Sequence, residues 1–185
     1  MTDPLTAGIL GHLRGLRQTR RFTDQSVPQP VVDELLEVAR WTGSAKNTQP
    51  WHFIVIEDRE SLKGLAEAGE FTEFISGAAL AVVILVDGQA WRANAYDEGR
   101  VSERLMLAAA AHGLGSGTGW FSKPEAKEKV RTLLDIPDEW DVWSTVVFGY
   151  PAGGTQPTPV STGRRPLEEI VSVGRYGTPP NRANR

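Results

Sequence analysis

Thr42-Gly43-Ser44-Ala45-Lys46-Asn47-Thr48-Gln49-Pro50-Trp51 joins two segments of different hydrophobic period, and its reading decides the fold. Upstream, Pro30 to Trp41 sets Val31, Val32, Leu35, Leu36 and Ala39 at spacings of three and four, with Asp33, Glu34 and Glu37 off that stripe. This is the period of an amphipathic helix, and Pro30 suits its first turn. Downstream, Trp51 to Glu57 is apolar on both faces, which predicts a central strand. Between them Ser44, Asn47 and Gln49 carry hydroxyl and amide groups that both donate and accept hydrogen bonds. Such groups match the alternating donors and acceptors along a flavin ring edge. The plainer reading is that Ser and Asn only stop the helix and turn the chain.

Working outward, Leu5 to Leu16 reads as a helix with Leu5, Ile9, Leu13 and Leu16 on one face, weakened by Gly8, Gly11 and Gly15. Arg59 to Ala68 and Phe71 to Gly77 read as short helices, and the Val- and Ile-rich run Leu80 to Val86 as a buried strand. Trp91 to His112 is the longest helix. Its Leu105 to Ala111 stretch is apolar nearly all round, so it packs against the sheet or a second subunit. Pro124 to Leu134 is a helix with Ser122 as its expected cap and Glu125 three residues on. Val142 to Tyr150 is a strand, and Gly174 to Arg185 an extended tail. There is no internal repeat. The alternation gives an α+β class and leaves the strand directions open.

A chain of 185 residues, 40% hydrophobic and 23% charged, suffices for one domain spanning 1–185. It contains no cysteine, which excludes a disulfide, a thiolate metal site and a cysteine nucleophile. His12, His52 and His112 are widely spread without ligand spacing, so no metal site is expected. The start Met1-Thr2-Asp3-Pro4-Leu5 lacks a charged-then-apolar leader, and no apolar run approaches the ~20 residues of a membrane span. A soluble, cytoplasmic protein without a membrane partner is expected. Gly113-x-Gly115-x-Gly117-x-Gly119 departs from Gly-x-Gly-x-x-Gly, and no Gly-Lys-Ser/Thr follows it, so it is neither a dinucleotide fingerprint nor a P-loop. Small residues there suit a close approach of backbone to a ring. Trp91 and Trp120 are candidates for stacking on a substrate.

Charge supplies a second theme. Arg14, Arg17, Arg20 and Arg21 fall within eight residues of one another in a chain of net charge −3, with Gln18 and Thr19 beside them as neutral donors. Arg164 and Arg165 follow a Pro- and Gly-rich loop near the other end. Guanidinium groups match phosphate oxygens bidentately, and two Arg pairs remote in sequence can converge on one dianion. The plain alternative is a solvated helix face. A nucleic-acid partner is not expected, because the pI is near 5.7 and no nucleic-acid motif is present.

Together these residues resemble the FMN-dependent nitroreductase family over nearly the whole chain: Arg17 to Phe22 followed by Pro28, Ser44 to Trp51, Leu107 to Trp120, Phe148-Gly149-Tyr150-Pro151, and Arg164 to Glu169. The family's Arg-x-Ser-x-Arg run is similar to Arg17, Thr19 and Arg21, or to Arg17, Gln18 and Arg20 one residue out of register. The resemblance implies that some of these bind the FMN phosphate while one reaches the pyrimidine edge. Ser44 and Asn47 are implied as ribityl or ring-edge contacts, with Gln49 before Pro-Trp. Gly117, Thr118, Gly119 and Trp120 are implied as backbone near N5, and Arg164 and Arg165 as further phosphate ligands. Thr42-Gly43-Ser44 stands where the family commonly has Ala-Pro-Ser.

The resemblance further implies a three-layer fold with a mixed, mainly antiparallel sheet flanked by helices, and a homodimer with an exchanged C-terminal tail and two FMN sites at its interface. Chemistry carried by FMN requires no catalytic side chain. Arg20 or Arg21 near N1 and O2 is expected to favour the reduced flavin. The implied activity is ping-pong: NADH or NADPH delivers hydride, then a small-molecule acceptor such as a nitroaromatic or quinone takes the electrons. Alternatives within the family are flavin sequestration without efficient turnover, and specialised chemistry such as dehalogenation or flavin fragmentation.

Overall fold

The computed structural model of the chain describes residues 3–88, 91–153 and 163–180. It divides into two compact units, Met1–Gly154 and Thr155–Arg185. The first contains helices α1 (Pro4–Gly15), α2 (Gln29–Arg40), α3 (Arg59–Ala68), α4 (Trp91–Ala111) and α5 (Pro124–Leu133) around strands β1 (Trp51–Ile56), β2 (Leu80–Asp87), β3 (Gly115–Trp120) and β4 (Trp140–Gly149). The sheet runs β1-β2-β4-β3, and every pairing of these strands is antiparallel. A single parallel bridge, Gln18 to Ser116, lays the segment after α1 against β3. Among the described residues no helix is long and apolar enough to cross a membrane.

Each face of the sheet is covered by helices because β2 alternates between two cores. Leu80, Val82, Ile84 and Val86 pack with Val32, Leu35, Val101 and Leu105 of α2 and α4. Ala81, Val83 and Leu85 pack with Leu62, Leu65 and Val130 of α3 and α5. The result is three layers, as the strand's continuous apolar run requires. A register shift opposite Ile84/Leu85 passes over Trp143, so that Trp143 and Ser144 both belong to the α2/α4 side.

Several expectations are corrected. β1 is an edge strand, not a central one; its two apolar faces arise because both helical layers extend over the edge. Gly115–Trp120 is a strand that its glycine content hid. Residues 71–77 form only a 3-10 turn, Glu73–Gly77. The cap of α5 is Lys123, without a side-chain bond, because Pro124 takes the first helical position and holds the preceding residue extended. In the second unit, a short helix α6 (Leu167–Ile170) precedes a closed loop, where Val173 N donates to Thr178 O and Gly177 N to Ser172 Oγ. Residues 174–178 are thus turned rather than extended, and 181–185 lie outside the described residues.

Candidate functional site

The Ser44–Gln49 turn carries most of the backbone strain in the described chain. Lys46, Asn47 and Gln49 all have positive φ, at 53°, 57° and 49°. Left-handed conformations outside glycine cost on the order of 1–3 kcal/mol each and persist only where surroundings enforce them. Locally, Ser44 Oγ accepts from Gln49 N at 2.8 Å, Asn47 N donates to Ser44 O, and Thr48 N donates to Ala45 O. The plainer reading of Ser44 as a turn-maker is therefore correct as far as its hydroxyl goes. The side chain of Asn47 is exposed and has no hydrogen-bond partner among the described residues, and Gln49 Nε2 reaches only Asn47 O at 3.5 Å. Thr42, at the head of the turn, is buried, and its Oγ1 lacks a partner. A turn that presents the exposed amides of Asn47 and Gln49 beside left-handed backbone fits a polar planar ligand.

The second cluster is a seam. Thr19 N donates to Ser116 O at 2.6 Å, and Thr118 N donates to Gln18 Oε1 at 3.3 Å, so Gln18 and Thr19 lie along β3, while Arg21 O accepts from Ala152 N just beyond β4. A Cβ on Gly115 would stand 2.6 Å from Thr19 Oγ1, one on Gly117 2.6 Å from Thr19 O, and one on Gly119 2.8 Å from Ile75 Cδ1. The glycine run is thus required by packing of protein on protein. Packing by itself therefore accounts for the small residues. Arg17 Nη1 donates to the carbonyls of Arg14 and Leu16, both at 2.7 Å, at the C-terminal end of α1, and the Arg20 guanidinium lies 5.5 Å from the Phe74 ring centre. Arg14, Arg17, Arg20 and Arg21 are exposed, and among the described residues none is in an ion pair. Trp120 ends β3 with its side chain exposed.

α4 touches both clusters. Ala45 N donates to Asp97 Oδ2 at 3.3 Å, and Thr118 Oγ1 lies 3.6 Å from Met106 Sδ. In its first half Asn94 Nδ2 donates to Asp87 O, and Ser144 Oγ donates to Glu98 Oε1 at 2.5 Å. Burial pushes the Glu98 carboxyl above its usual range, with the Ser144 bond opposing. Sequence reasoning passed over Asp97 and Glu98. The sequence marks their burial but not their role: Asn94, Asp97 and Glu98 continue, at helical spacing, the stripe that Val101, Leu105 and Ala109 bury.

Arg164 and Arg165 lie in the second unit. Arg164 is exposed, and Arg165 Nε, just before α6, donates to Glu169 Oε2 within it at 3.2 Å. The Trp91 side chain is outside the described residues.

A family model described as "Nitroreductase family" matches residues 13–76 and 70–150. An Archaeoglobus fulgidus protein named "Putative NADH dehydrogenase/NAD(P)H nitroreductase" is 34% identical over 140 residues, covering 73% of this chain and 80% of that protein. A solved structure under the same name, from Parabacteroides distasonis, superposes with a TM-score of 0.81 at 25% identity, covering 91% of this chain and 99% of the other. An FMN-dependent nitroreductase from Clostridium difficile has the same fold, with a TM-score of 0.79 at 24% identity over 90% of this chain and 99% of its own.

Proposed function

We propose, from the premise that this chain belongs to the nitroreductase family, that it is an FMN-dependent NAD(P)H oxidoreductase passing electrons to small oxidised acceptors such as nitroaromatics or quinones. The observation that carries this reading is the seam: exposed guanidiniums, in no ion pair among the described residues, on a segment laid along β3 in an acidic protein. Bound FMN supplies hydride chemistry, so no nucleophile is needed.

The chain's own residues hold and orient that group. Arg17, Arg20 and Arg21 supply charge-assisted donors to its phosphate, with one of them turned to the pyrimidine edge. Gln18 and Thr19 keep the segment on β3, and the run Gly117, Thr118, Gly119, Trp120 borders the ring. Ser44, Asn47 and Gln49 meet the ring edge or ribityl chain. Arg164 and Arg165 are retained as phosphate ligands on the sequence resemblance alone. Donor and acceptor use one space in turn, a ping-pong order.

The functional form proposed is a homodimer with an exchanged C-terminal tail. α1 supports it, since no residue of α1 is buried and Leu5, Ile9 and Leu13 are exposed on it.

The test is the visible spectrum of purified protein under anaerobic NADH or NADPH. Bleaching of a flavin band, recovery on adding a nitroaromatic or quinone, and parallel double-reciprocal initial-rate lines are expected. A yellow protein that neither nucleotide bleaches overturns the reductase reading in favour of flavin sequestration.

A further inference from the structure

We infer that Asp97 is a positioning residue that sets the Ser44–Gln49 turn for its ligand, acting from α4 together with Arg100. The inference rests on the reading above that this turn meets the flavin ring. The Asp97 side chain is 4% exposed, and both of its partners lead to the turn. One is the backbone N–H of Ala45 at 3.3 Å, the first residue of the 3-10 turn, and the other is Arg100 Nη1 at 3.2 Å.

Arg100 in turn leans on the loop that enters the turn. A Cβ built on Gly43 would stand 2.9 Å from Arg100 Nη2, so the missing side chain leaves room for that guanidinium. One turn further along α4, Arg104 Nη1 donates to Trp41 O at 3.0 Å. Two guanidiniums and one carboxylate of a single helix therefore hold residues 41–45.

The need for such a clamp lies in the backbone. The hydrogen bonds inside the turn are short-range, and its side chains from Ala45 to Gln49 are exposed. Left-handed residues at 46, 47 and 49 persist only if something outside the turn fixes where it starts. A carboxylate removed from water is costly unless its partners compensate, and here both partners belong to the clamp. Asp97 stands in a stripe that is otherwise apolar further along the helix, where an aliphatic residue would pack without that cost.

A device that orders the ring site acts on the ring and not on the phosphate. Equilibrium binding of FMN and of riboflavin to the full-length apoprotein separates the two, with thermal melts as a control for folding. For Asp97→Ala both dissociation constants rise by the same factor, roughly tenfold or more, as for loss of a buried charged acceptor. The visible band of the bound flavin shifts. Asp97→Asn retains an acceptor for Ala45 N–H and restores part of the affinity. Arg100→Ala, at a partly exposed position, gives a smaller rise that is again equal for both ligands and tests the same clamp should Asp97→Ala not fold. Unchanged riboflavin binding and an unshifted spectrum in a folded Asp97→Ala or Arg100→Ala protein overturn the inference while leaving the functional reading intact. A wild-type protein that binds neither ligand overturns both.

Discussion

The turn at Ser44–Gln49 and the seam that the 17–21 segment makes with β3 at Gln18 and Thr19 are both candidate cofactor contacts, yet opposite forces hold them. The seam is a steric fit: glycines at 115 and 117 let Thr19 sit where a Cβ would be, and backbone hydrogen bonds close the contact. The turn is a strained backbone kept by a few polar anchors, with its side chains outside. The difference teaches that one region is fixed by close steric fit. The other is held by a few particular acceptors, Asp97 Oδ2 and Ser44 Oγ among them.

Substitutions on the two sides should therefore fail differently. The largest expected effect is on the seam's charge: Arg17→Ala weakens FMN by about 1.5–3 kcal/mol, the worth of hydrogen bonds to a charged group, and leaves riboflavin binding unchanged. An equal loss for both ligands in titration would remove Arg17 from the phosphate. Gly117→Ala drives a methyl against Thr19 O and should cost about 1–3 kcal/mol of stability in urea unfolding, together with FMN affinity. A neutral Gly117→Ala would break the steric half of the comparison. Ser44→Ala removes the acceptor for Gln49 N and should cost about 1 kcal/mol of stability, with riboflavin and FMN weakened alike.

The smallest effect sharpens the role of α4. Burial raises the folded-state pKa of Glu98 above the ordinary carboxyl value of 4.5. Between the ordinary value and the raised one, the folded protein binds more proton at Glu98 than the unfolded chain does. The stability Glu98 contributes is complete below the ordinary value and is lost as pH rises through the raised one. Glu98→Gln cannot ionise, so its melting temperature should fall less from mildly acid to neutral pH than the wild type's. Parallel pH profiles would show that Glu98 does not titrate in this window.

Much of the scaffold was legible because its residues repeat. The stripe of α2 states its burial through a period of 3.6, and β2 states its own through a continuous Val- and Ile-rich run. β3 was hidden because Gly115, Gly117 and Gly119 have no side chains to alternate; their meaning lies in Thr19 and Ile75, remote in sequence. β1 was misplaced because apolar content reports coverage by helices, not rank within a sheet. The candidate residues of the turn and the seam stood out as residue types. The clamp from Asp97 did not, since a polar residue in an apolar stripe acquires meaning only when its partner, Ala45 N, is known.

The most direct measurement is a crystal structure of the protein bound to FMN. The expected density places the phosphate against Arg17–Arg21 and the ring edge between Ser44–Gln49 and Gly117–Trp120. A flavin bound elsewhere, with Arg17 still turned onto the carbonyls of Arg14 and Leu16 and the turn untouched, would contradict it.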